Sequence, residues 1–94
     1  MRKITMKMRD AFYELKKFKL DNTEVRDSAI YLHGNKIAEH GNESSIWVTT
    51  AGWNTNTTRE RLNGLYECHV TQRKGILYLN GKEWDGKWIN IPKV

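Results

Sequence analysis

Hydrophobic positions near the start of the chain recur at helical spacing. Ile4, Met8, Phe12, Leu15 and Phe18 fall three or four residues apart, which places them on one face of an α-helix. Thr5 is the expected N-cap. Lys16, Lys17 and Lys19 stand near the expected C-terminal end, where cations suit the helix dipole. "LDNT", residues 20–23, ends the helix. The apolar stripe reads as core packing, because a domain this small needs it for its own stability.

The pattern then changes to a period of two. "SAIYLHGNKIAEH", residues 28–40, reads as two short strands joined at Gly34-Asn35, a dipeptide compatible with the positive φ of a two-residue hairpin turn. "EHGNESS" is a second turn and "SIWVTT" a third strand. "TTRERLNGL" returns to helix. "YECHVTQ", a turn at "RKG", "ILYL" and the hairpin dipeptide Asn80-Gly81 follow, and Asp85-Gly86 makes another tight turn before "KWINI". The predicted order is α-β-β-β-α-β-β-(β), one α+β domain over residues 1–94. Hairpin connections imply an antiparallel sheet, here of five to six strands, with the helices layered on it.

Strand alternation separates two faces. Ile30, Leu32, Ile46, Val48, Cys68 and Val70 share parities suited to packing beneath the helices. The opposite set is Tyr31, His33, Trp47, Thr49, His69 and Thr71. Aromatic, imidazole and hydroxyl groups together can stack on a base and still hydrogen-bond. The same composition also fits an amphipathic core layer covered by the C-terminal strands or the first helix. Parity leaves both open.

The least ordinary stretch is "TTAGWNTNTTRERLNGL", residues 49–65. Thr57 followed by Glu60 satisfies the capping-box pattern, with Thr57 accepting from the Glu60 N–H. Leu62 and Leu65 bury the helix, and Gly64 stands near its C-terminal end. The box leaves Asn54, Thr55, Asn56, Thr58, Arg59 and Arg61 without a role. Arginines in a first turn oppose the helix dipole unless something negative lies near, either Glu60 or a phosphate. The candidate binding set is therefore Trp53, Asn54, Thr55, Asn56, Thr58, Arg59 and Arg61 at the loop. Trp47, Tyr31 and His69 are added from the sheet face. Of the four tryptophans, Trp53 is the one expected to be most exposed.

Charge adds one consideration. Sixteen Lys and Arg against eleven Asp and Glu give +5, which favours a polyanionic partner. The cations are dispersed, with a single cluster at Lys16 to Lys19. Cys68 is alone, so no intrachain disulfide forms and a reducing compartment is the expected home. It is expected to be buried, unpaired and unmetallated. No stretch is apolar enough for a membrane span. His33, His40 and His69 lie far apart, and Cys68 and His69, as strand neighbours, point to opposite faces. Neither a metal site, a cofactor nor an enzyme is expected.

"YLHGNKIAEH", "TAGWNTNTTRERLNGL" and "YLNGKEWDGKWI" resemble a group of small bacteriophage and prophage proteins, over residues 18–91. The resemblance implies a phage product of unassigned activity working in the host cell cytoplasm. The leading expectation is a non-enzymatic binding module for nucleic acid or nucleotide phosphate. The alternative is a phage-encoded inhibitor of a host protein, such as an anti-CRISPR or other anti-defence protein.

Overall fold

A computed structural model describes residues 1–94. The chain forms α1 (Lys3–Tyr13), β1 (Phe18–Leu20), β2 (Thr23–Arg26), β3 (Ala29–Leu32), β4 (Asn35–His40) and β5 (Ser45–Val48). After these come α2 (Asn56–Leu62), β6 (Val70–Arg73), β7 (Ile76–Leu79), β8 (Lys82–Glu83) and β9 (Ile89–Pro92). The α+β class stands as expected. The strands make two sheets, a six-stranded one in the order β1-β2-β3-β4-β5-β9 and a three-stranded one in the order β6-β7-β8. Every pairing is antiparallel.

Short hairpins account for this topology. Two residues separate the paired ends of β1–β2, β2–β3, β3–β4, β6–β7 and β7–β8. His33-Gly34 has φ values of 52° and 79°, and Asn80-Gly81 has 51° and 84°. Positive φ at both central residues is the turn that matches the twist of the flanking strands. The β3–β4 turn is thus His33-Gly34, one residue earlier than expected, and Asn35 already pairs with Leu32. Asn80 fits its turn twice over. Its backbone tolerates the left-handed region, and its side chain accepts from His69 N–H (2.8 Å) while donating to the Glu67 carbonyl (3.0 Å).

A turn and β1 replace the end of the predicted first helix. That helix stops at Tyr13, with Leu15 at φ 58°. The Lys16 N–H reaches the Ala11 carbonyl (2.8 Å) and the Leu15 N–H the Phe12 carbonyl (3.4 Å), which is the Schellman closure normally built on glycine. Lys16, Lys17 and Lys19 therefore lie beyond the helix, and Phe18 begins β1. Thr5 is not the N-cap either. Arg2 occupies that position without a side-chain bond, and Thr5 lies fully buried inside the first turns.

One face of the six-stranded sheet carries the core. Val25, Ile30, Ala38 and Val48 align across it, as do Ile46 and Ile91. Met8 and Phe12 of α1, Leu62 of α2, and Val70, Leu77 and Leu79 of the small sheet join the same buried cluster. The second layer is therefore α1, α2 and the three-stranded sheet together. All six residues assigned to the inner parity are buried. Cys68 reaches the core from the segment before β6 rather than from a strand.

Candidate functional site

The helix entrance begins two residues before the predicted capping box. Thr55 is the N-cap, and its hydroxyl accepts from the Thr58 N–H at 3.1 Å. Thr57 has no capping role. Glu60 faces away from it and accepts from the Thr5 hydroxyl at 2.5 Å and from the Arg61 guanidinium.

Both arginines proposed as phosphate ligands have partners within the chain. Arg61 is 1% exposed, and it donates to Thr23 Oγ1 (2.9 Å), Thr5 Oγ1 (3.2 Å) and Glu60 Oε1. This network ties α1, β2 and α2 together, and it leaves Arg61 no surface for a ligand. Arg59 is half-buried in a cage of amides. It donates to Asn54 Oδ1 (2.6 Å), Gln72 Oε1 (2.7 Å) and Asn56 Oδ1, while Asn54 Nδ2 donates to Gln72 (2.9 Å). Asn54, Asn56 and Arg59 thus pin the loop to β6.

Trp53 and the threonines do face an opening. A cleft of about 470 Å³ separates the β3–β4 hairpin from the loop leading into α2. Leu32, His33, Asn35 and Ile37 line one side. Trp53, Thr55, Thr57 and Thr58 line the other, with Thr50 at the base. Ile37 reaches the cleft because β4 bulges: Ile30 pairs with Ala38 and Tyr31 with Lys36, which leaves Ile37 unpaired. His33 was expected beside Tyr31 on the outer face. At the turn tip, strand parity no longer applies to it.

The outer face of the six-stranded sheet is open. Tyr31 and Trp47 both stand on it, and Trp47 is 39% exposed. Asn90 lies opposite Trp47, and Trp88, 44% exposed, stands immediately before β9. The Arg26 guanidinium sits 4.0 Å from the centre of the Tyr31 ring. Charges on this face alternate in sign. Arg26 pairs with Glu24 and Asp27 (both 3.4 Å), and Lys36 pairs with Glu39 (3.0 Å). Hydrogen bonding to the Glu39 carboxylate raises the Lys36 pKa. Lys19 lies opposite Glu24 across β1–β2.

The other expected members of that face are elsewhere. Thr49 is buried and donates to the Gly86 carbonyl at 2.6 Å. His69 and Thr71 are exposed on the small sheet's segment. The structure therefore divides the predicted set into a cleft, an amide cage, a buried arginine, an open sheet face and an isolated histidine. Sequence reasoning missed Arg26, Lys36 and Trp88. For Arg26 and Lys36 the signal was the strand parity of β2 and β4, and it is readable only once the registers are known.

Titratable chemistry is sparse. Burial pushes the Cys68 thiol up to about 12, helped by the neighbouring Glu67 charge. Burial, and then the hydrogen bond donated to Glu67, raise the Tyr13 phenol far above its usual range. No cluster of three or more His, Cys, Asp or Glu side chains has the spacing to hold a metal ion. No helix is long and apolar enough to cross a membrane. No characterised protein and no solved structure matches the chain significantly. A family model described as Kyanoviridae Gp96 protein matches residues 1–91, nearly the whole domain, and the chain belongs to that family of phage proteins.

Proposed function

We propose that this phage protein is a non-enzymatic binding module that docks a host protein on the open face of its six-stranded sheet, and so acts as an inhibitor in the host cytoplasm. The carrying observation is a set of aromatics, the exposed Trp47 and Trp88 and the half-buried Tyr31, on a face where cations and carboxylates are paired. Interface centres are enriched in Trp, Tyr and Arg within a polar rim, and this face has that make-up. Arg26 over Tyr31 supplies the arginine already in stacked geometry.

Charge balance separates this reading from nucleic-acid binding on the same face. Affinity for a polynucleotide comes largely from cations that displace counterions from phosphates. Arg26 and Lys36 are paired with Glu24, Asp27 and Glu39, and Lys19 lies opposite Glu24, so most of the positive charge around Tyr31 is offset. Of the two strongest phosphate candidates in the sequence, Arg61 is buried and Arg59 is engaged by neighbouring amide oxygens at the surface.

The test compares immobilised wild type, Trp47→Ala, Trp88→Ala and Trp53→Ala in host-cell extract, with and without nuclease. One stoichiometric host protein should survive nuclease treatment on the wild type and on Trp53→Ala, and be lost from Trp47→Ala and Trp88→Ala. Recovery that disappears with nuclease, or that ignores both outer-face tryptophans, overturns the proposal.

A further inference from the structure

We infer that the cleft between the His33-Gly34 turn and the loop entering α2 binds a single unpaired nucleobase. This is a second site, on the opposite side of the sheet from the docking face, because Leu32 and Ile37 reach it from the core layer while Tyr31 points outward.

Size is the first argument. About 470 Å³ falls within the range of roughly 300–1,000 Å³ typical of small-ligand sites. The lining chemistry is the second. Leu32 and Ile37 give a buried aliphatic wall, and Trp53, 59% exposed, gives an indole on the other side that can stack. No carboxylate, lysine or arginine lines the cleft. A phosphate, an amino acid or another charged ligand would find no counter-charge there. A planar neutral ring meets no such penalty.

Hydrogen bonding narrows the class further. Thr50, Thr55 and Thr58 already have partners, in the Gly86 carbonyl, the Thr58 N–H and each other. The side chains of His33, Asn35 and Thr57 and the indole N–H of Trp53 make no hydrogen bond within the protein, and all four residues line the cleft. These groups are mixed donors and acceptors along the rim of an apolar slot. A nucleobase edge presents the same alternation, and an amide such as Asn35 can pair with a base edge through two bonds. A plain aromatic ring would leave those groups unmatched.

A base can arrive as a free nucleoside or on a single strand, and the experiment separates the two. The indole N–H signals of the four tryptophans are followed by NMR in the intact protein, during titration with adenosine, uridine, a single-stranded tetranucleotide and a duplex of the same sequence. The Trp53 signal should move and the Trp47 signal stay, with the duplex inert. A response to nucleosides identifies a free-nucleoside site, and a response to the tetranucleotide alone identifies a base on a strand. Binding should depend little on salt, since no cation lines the cleft. Trp53→Ala should weaken it by roughly 5- to 150-fold, and Asn35→Ala should weaken it while leaving the fold intact. Absence of any Trp53 shift with all four ligands, or binding unchanged in both variants, overturns the inference. Neither outcome bears on the outer-face tryptophans.

Discussion

A guanidinium enclosed as completely as that of Arg61 is stable only while its partners stay in place. Desolvating a charge costs several kcal/mol, and the attraction of Glu60 together with the two threonine hydroxyls offsets that cost. Arg61→Ala should therefore lower stability by about 3 kcal/mol, at the lower end of the range for breaking a buried pair. The stranded Glu60 is part-exposed and can recover hydration. Urea denaturation checks this, and a loss well under about 1 kcal/mol, the scale of an exposed pair, would contradict the burial. Nothing local in "TTRERLNGL" distinguishes this arginine from Arg59. Glu60 was a partner open to either arginine, whereas Thr5 and Thr23 are distant in sequence, so the burial of Arg61 was invisible before the fold. Capping is the converse case, in which the pattern was legible and the register was not. Thr55→Ala should cost about 1 kcal/mol, whereas Thr57→Ala should leave the denaturation midpoint unchanged. A third residue-scale prediction concerns pH. Folding favours the protonated forms of Cys68 and Tyr13. The Cys68 contribution is complete below the ordinary thiol value of about 8.5 and is lost as pH rises toward about 12, whereas the Tyr13 contribution begins to be lost only above the ordinary phenol value of about 10. Stability should fall progressively above about pH 9, with a shallower fall in Cys68→Ala.

Among the elements, α1 ends on an exposed leucine held at positive φ. Left-handed backbone costs an L-residue roughly 1–2 kcal/mol, and Leu15 buries too little to offset it. Leu15→Gly should raise stability by about 1 kcal/mol, read from the thermal midpoint. A decrease would show that the Leu15 side chain holds the turn. This same residue explains why the sequence misled. With no glycine at the stop, the apolar spacing continued through Leu15 to Phe18 and hid β1. The turns Asp21-Asn22 and Asp27-Ser28 also lack glycine, and the strands that precede them, β1 and β2, are only three and four residues long. The glycine-bearing hairpins, at Gly34, Gly75 and Gly81, were readable within a residue. Gly64 is fixed by packing rather than by φ. A Cβ there would meet Thr5 Cγ2 of α1 and approach the Arg61 carbonyl to 3.0 Å, in the turn that follows α2. Gly64→Ala should cost about 1–3 kcal/mol.

At the scale of the molecule, the sheet divides two chemistries. Its inner face is closed by two helices and a second sheet, and its outer face carries aromatics with balanced charge. Alternation revealed Tyr31 and Trp47 as a face apart from the core, but whether that face is covered depends on where β6–β8 pack. They pack on the inner side. Net charge pointed toward polyanions, yet the surplus cations do not collect around the exposed aromatics. The most direct measurement is lysine-directed cross-linking of the protein in nuclease-treated host extract, with the linked residues mapped by mass spectrometry. Links are expected from Lys19 and Lys36, on the outer face, to one host protein, all lost in the Trp47→Ala/Trp88→Ala double variant. Links confined to Lys74 and Lys82 of the small sheet, or links that persist in the double variant, would contradict docking on the outer face.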